Sequence, residues 1–120
     1  MKNVKISKPT EPSIEVHVKY CDTFLSKFVG LMFVKELDLD RGIILVDHEE
    51  SRINSSIHML FMNFDILVLW LDKNLVVVDK VLAKKWNLAY LPKMPAQYVL
   101  ELHPTKFSEF SIGDQLIILN

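Results

Sequence analysis

Glu101 is the carboxylate best placed to do chemistry, because it stands between Leu100 and Leu102 in a tract whose other residues are apolar enough to be buried. A buried carboxyl has to be paired, hydrogen-bonded or protonated. It is then either a general acid or ligand anchor with a raised pKa, or a structural acid held by Lys27, an arginine or loop amides. Structural ion pairs perturb acids as active sites do, which favours the structural role. His48, His58 and His103, with Asp65 or Glu101, are of the types that suit zinc or iron. None stands at a His-x-His or His-x-x-x-His spacing, which would set two ligands on one element, so no metal and no cofactor is expected. His58 reads instead as a core or rim histidine donating to a backbone carbonyl.

Cys21 and the serines lack a glycine-flanked elbow, and no acid–histidine order points to a triad. With three glycines the chain also lacks a phosphate-cradling loop. No catalytic set is visible, and binding is expected rather than catalysis, an enzyme with a Glu/His site being the weaker alternative. Two surfaces compete for the binding role. One is a small-ligand pocket at a barrel mouth, lined by Met59, Met62, Trp70, Trp86 and Tyr90, with His58 or Glu101 supplying polarity. The other surrounds Lys80, Lys84, Lys85, Trp86, Tyr90 and Lys93, where lysines interleave with aromatics as they do on binders of single-stranded nucleic acid or acidic proteins. The candidate ligand-binding set is thus His58, Met59, Asp65, Trp70, Trp86, Tyr90 and Glu101. For the apolar members, core packing is the competing assignment. A small molecule or a protein is the expected partner, and nucleic acid a weaker one.

The elements that must position these residues are mostly strands. Ile14, Val16, Val18 and Tyr20 alternate with Glu15, His17 and Lys19, predicting a half-wet strand over 13–20. Phe24, Phe28, Leu31 and Met32 recur at helical spacing behind Asp22 and Thr23, so a two-turn helix ending near Gly30 is expected. Gly42-Ile-Ile-Leu-Val46 predicts a second strand and 47–54 a polar loop. Residues 56–62 are apolar on both faces, as in a central strand. Strands over 65–71 and 75–82 form a hairpin through Asp72-Lys-Asn74, with Asn74 expected in the left-handed conformation. The prolines of 84–95 indicate a long loop. Strands over 96–102 and 114–119 complete a mainly β, small barrel-like or sandwich fold of about seven strands with one short N-terminal helix.

With 120 residues, half of them hydrophobic, and fourteen basic against fifteen acidic side chains, one domain over 1–120 is expected, residues 1–12 being loosely ordered. Near-neutral charge announces neither nucleic acid nor an anionic membrane. The lone cysteine excludes an internal disulfide and is expected to be a buried or half-buried thiol. The basic N-terminus is followed by no secretion-signal apolar run. The stretch 57–71 is interrupted by Asn63 and Asp65 and is too short to span a bilayer, so a cytoplasmic protein with no membrane partner is expected.

The ordered combination of Gly30-Leu31-Met32, Gly42-Ile-Ile-Leu-Val, Ile57-His-Met59, Leu-Trp-Leu-Asp72, Tyr98-Val-Leu-Glu101-Leu and Ile112-Gly-Asp114 resembles the DUF192 family, also called UPF0127, over nearly the whole chain from about residue 14. The resemblance implies a small, mainly β, barrel-like or sandwich fold with a short early helix. It implies no established activity. Against the family pattern, Pro-Leu-Asp is replaced by Asp65-Ile66-Leu67, with leucine at the acidic position. Asp65, on the same strand face, either stands in for that acid or is a turn residue bonding nearby amides. His58 stands where an aromatic residue usually precedes the family's methionine, and the glycine expected soon after Glu101 is missing.

Overall fold

The computed structural model describes residues 2–120 and, of Phe24, the backbone alone. Seven strands, β1 (Asn3–Ser7), β2 (Glu15–Cys21), β3 (Arg41–Ser51), β4 (Ile66–Leu71), β5 (Val77–Ala83), β6 (Ala96–Leu102) and β7 (Ile117–Leu119), accompany one helix, α1 (Phe24–Val29). They form a mainly β, barrel-like fold. The sheet order is β5-β4-β6-β3-β2-β1-β7, antiparallel except for β2 beside β3. An antiparallel bridge between Val76 and Gln115 ties the β5 side to the chain entering β7, so the two sheet edges meet at one end.

Because β3, β4 and β6 lie mid-sheet, each is buried on both faces, which is why their sequences run apolar instead of alternating. The concave face encloses Val4, Val16, Val18, Ile44, Leu69 and Leu100. The opposite face carries Cys21, Ile43, Val68, Trp70 and Val99 and is covered by Leu31, Ile57, Met59 and Met62. Glu101 belongs to this second face, between Ile43 of β3 and Val68 of β4.

Five expectations are corrected. Residues 3–7 are not loose but form β1, paired on both sides, because Val4 and Ile6 supply an apolar face to the core. Segment 56–62 is not a central strand. Only Ile57 makes a bridge, to Tyr90, and Phe61 turns the chain at φ 60. Its two-sided apolar pattern instead reflects an irregular cover whose Met59 and Met62 are buried. The polar residues 47–51 continue β3, and the last strand is shortened to three residues. In the hairpin the left-handed residue is Leu75 (φ 63), not Asn74. Asp72 Oδ1 accepts from the Asn74 and Val76 amides, which moves the reversal one residue on.

Candidate functional site: a cleft over Glu101

The cleft is built from α1 outward. Thr23 caps the helix through a box in which its hydroxyl accepts from the Ser26 amide and Ser26 Oγ accepts from the Thr23 amide. Gly30 (φ 50) ends it with its amide on the Ser26 carbonyl, a conformation that costs glycine little. A Cβ at Gly30 would stand 3.4 Å from Ile43 Cδ1 and 3.9 Å from Glu101 Oε1, so the helix exit lies directly against the acid. Leu31 is buried while Phe28 is exposed, its ring 5.3 Å from that of His58. Phe24's share of the expected apolar stripe lies outside the described residues.

The opposite wall is held by Trp70, whose indole nitrogen donates to the Ser55 carbonyl at 2.8 Å and fixes the turn leading into Ser56 and Ile57. His58 closes the far end. Its Nδ1 accepts from the Leu60 amide at 3.3 Å, which leaves the proton on Nε2, 3.2 Å from the Phe28 carbonyl. The expected donation to a backbone carbonyl is found, and it staples the covering segment to the helix.

Between these walls lies a cleft of about 500 Å³, with Leu45 and Val99 on its sheet side. Glu101 is 6% exposed, and among the described residues its carboxyl has no hydrogen bond or ion pair. Lys27, the expected partner, bonds Asp47 at 2.6 Å instead. Burial alone pushes Glu101 up to about 8, so the acid is largely protonated at neutral pH. Burial, aided by Glu101, also pushes the Cys21 thiol up, making it a poor nucleophile.

Of the expected site residues, the structure brings together His58 and Glu101, with Met62 beside them. Met59 and Trp70 are core residues, 0% and 1% exposed. Asp65, Trp86 and Tyr90 gather elsewhere, around the 84–95 loop. Asp65 accepts from the Lys85 amide at 2.9 Å and meets the Lys84 ammonium at 3.4 Å. The amide first, and then the ammonium, hold its carboxyl below the usual range. The amide that Asp65 bonds is thus a distant one, across the β4–β5 hairpin, and not one of a local turn. The Tyr90 hydroxyl accepts from the Lys84 amide, and Trp86 packs edge-on against Phe61, itself stacked on Phe33. Among the described residues no three His, Cys, Asp or Glu side chains converge as metal ligands; His103 caps the 3-10 helix Pro104–Glu109. Asp47, Glu49 and Asn54, which read in the sequence as an ordinary polar loop, and Ser56, at the head of the expected central strand, line the cleft without having been singled out.

The DUF192 family model, described as "Uncharacterized ACR, COG1430", matches residues 4–118. The chain belongs to the DUF192 family. This DUF192 chain is 51% identical over 84 residues to the UPF0127 protein TK1120 of Thermococcus kodakarensis, covering 70% of the chain and 52% of that relative. It is 42% identical over 88 residues to the UPF0127 protein PF1050 of Pyrococcus furiosus, covering 73% and 72%. The chain thus spans about half the length of the first of these curated relatives. Among solved structures, a Sinorhizobium meliloti protein provisionally named a transcription regulator superposes with a TM-score of 0.84 at 18% identity, covering 97% of this DUF192 chain and 92% of the other. A protein of unknown function from Novosphingobium aromaticivorans gives 0.77 at 16%, covering 96% and 83%. At such identities the likeness is one of fold.

Proposed function

We propose that this DUF192 chain is a small-ligand-binding protein whose site is the cleft between α1 and the β3–β6 face, with Glu101 as its central polar contact. The observation that carries this reading is the carboxyl of a residue only 6% exposed, without a hydrogen bond or ion pair among the described residues and opening into the cleft. A carboxyl set among apolar residues and open to the cleft is free to meet a ligand there. The volume falls in the range of about 300–1,000 Å³ typical of small-ligand sites, and mixed apolar and polar walls are what such sites present. A cytoplasmic setting belongs to the same proposal and draws support from the single buried cysteine.

The alternatives have less behind them. Both His58 nitrogens are engaged by backbone, which leaves none for proton transfer with Glu101. In the basic–aromatic surface, the Lys80 ammonium is bound to the Phe107 and Phe110 carbonyls and Lys84 is paired with Asp65, so two of its cations are already committed.

An amide-resolved NMR screen against pooled metabolites and short oligonucleotides tests the reading. Shifts centred on Gly30, Leu31, Ile57 and Val99 are expected from a metabolite pool. Shifts confined to residues 84–95, or arising from oligonucleotides alone, would sink it.

A further inference from the structure

We propose that the cleft takes a small organic amine, its ammonium set against the Glu101 carboxyl and its hydrocarbon body against Leu31, Leu45 and Val99. This inference rests on the cleft being the binding site. Three carboxyls line it, Asp47, Glu49 and Glu101, against a single ammonium, Lys27, which Asp47 already holds at 2.6 Å. An anionic ligand would meet two carboxyls and a neutralised lysine. A neutral ligand would satisfy Glu101 but leave the surplus acidity unused. A cation complements both, and the exposed Phe28 ring on the same wall adds the face that cations favour. An inorganic divalent ion is a poor fit, since no three metal-ligating side chains converge among the described residues and much of the wall is hydrocarbon.

The proton balance is explicit. The free protein holds Glu101 as the acid. The ligand arrives as R-NH3+, Glu101 gives its proton to solvent, and the resulting carboxylate accepts hydrogen bonds from the ammonium. Binding therefore releases a proton below about pH 8, and affinity rises with pH until Glu101 is ionised in the free protein. Six other titratable groups bear on Glu101: Cys21 from β2, Lys27 from α1, Asp47, His48 and Glu49 from β3, and His58 from the covering segment.

The probes are 3-methylbutylamine, its neutral analogue 3-methylbutanol, and 4-methylpentanoate, titrated onto the full chain by amide shifts and by calorimetry in buffers of different ionisation heat. The amine is expected to move Gly30, Leu31, Ile57 and Val99 and to bind about tenfold more tightly than the alcohol, as a charge-assisted contact should. Its affinity should rise about fourfold from pH 7.5 to 9, with most of one proton released at the lower pH. Glu101→Gln should abolish the rise and weaken binding about tenfold. Should that variant fail to fold, the exposed Glu49→Gln is expected to weaken the amine two- to threefold and leave the alcohol unchanged, as about 0.5 kcal/mol of surface charge would. If the alcohol or the carboxylate matches the amine at the same amides, the cleft stands as the site and the amine assignment falls. If no probe moves those amides, both fall.

Discussion

Glu101 sets the acid–base behaviour of the protein at the scale of a single residue. Its carboxyl is raised from 4.5 to about 8, so the folded chain keeps a proton that the unfolded chain has already lost. Its contribution to stability is complete below pH 4.5, is lost progressively as pH rises toward 8, and then levels off. Glu101→Gln should flatten that fall. Urea midpoints of wild type and variant are expected to diverge in the variant's favour between pH 5 and 8, and parallel curves would show that the carboxyl is solvated. Asp65 runs the other way: its lowered pKa contributes stability above the ordinary carboxylate range and loses it as pH falls. Three exposed aromatics, Phe33, Phe61 and Trp86, all adopt positive φ and touch in sequence, a conformation costing about 1–2 kcal/mol apiece that their ring contacts offset only in part.

At the scale of elements, the cleft depends on how α1 begins and how closely β3 and β6 approach. Thr23→Ala removes the capping box and is expected to cost about 1 kcal/mol, read as a lower melting temperature with α1 amides exchanging faster. Gly42 is more demanding. A Cβ there would lie 2.2 Å from the Glu101 carbonyl oxygen, a contact that only backbone movement can relieve, and 2.8 Å from the Leu102 Cδ2 side-chain atom. Gly42→Ala should cost more than about 3 kcal/mol and displace the β6 register that presents Glu101. A wild-type melting curve for this variant would mean that the strands can part. Gly113, with nothing within 4 Å of its Cβ position, should lose only the roughly 1–2 kcal/mol of its φ of 96° when changed to Ala.

Across the whole molecule, the sheet edges meet where Lys8 is buried. Its ammonium bonds Asp114 at 2.9 Å, Glu11 at 2.9 Å and the Glu109 carbonyl at 3.0 Å, tying the end of β1 to the chain entering β7. The hydrogen bond that Lys8 donates to Asp114 is the main reason its pKa is raised. Burial pushes Asp114 up, but Lys8 and the Ser111 amide outweigh it, and its net direction is down. The pair therefore stabilises above the ordinary carboxylate range and weakens as acid protonates Asp114. Asp114→Asn is expected to cost about 1–3 kcal/mol at pH 7 and to remove part of the acid sensitivity, measured by urea unfolding at pH 7 and pH 3. Equal losses at both pH values would mean the contact is steric.

What the chain determined on its own was local and periodic. The capped helix before Gly30, the hairpin around 72–74, the 96–102 strand and the family's ordered apolar tracts are legible because short-range spacing dictates them. Glu101 was legible as an acid in an apolar tract, and His58 as a carbonyl-bonding histidine. Its partners were not: Lys27 turned to Asp47, 56–62 became cover instead of strand, and β1 formed where a loose end was expected. Trp70 and Met59, apolar enough for either role, went to the core. Those outcomes depend on which surfaces meet across long sequence separations, and the apolar periodicity of a segment states that it will be buried without stating against what.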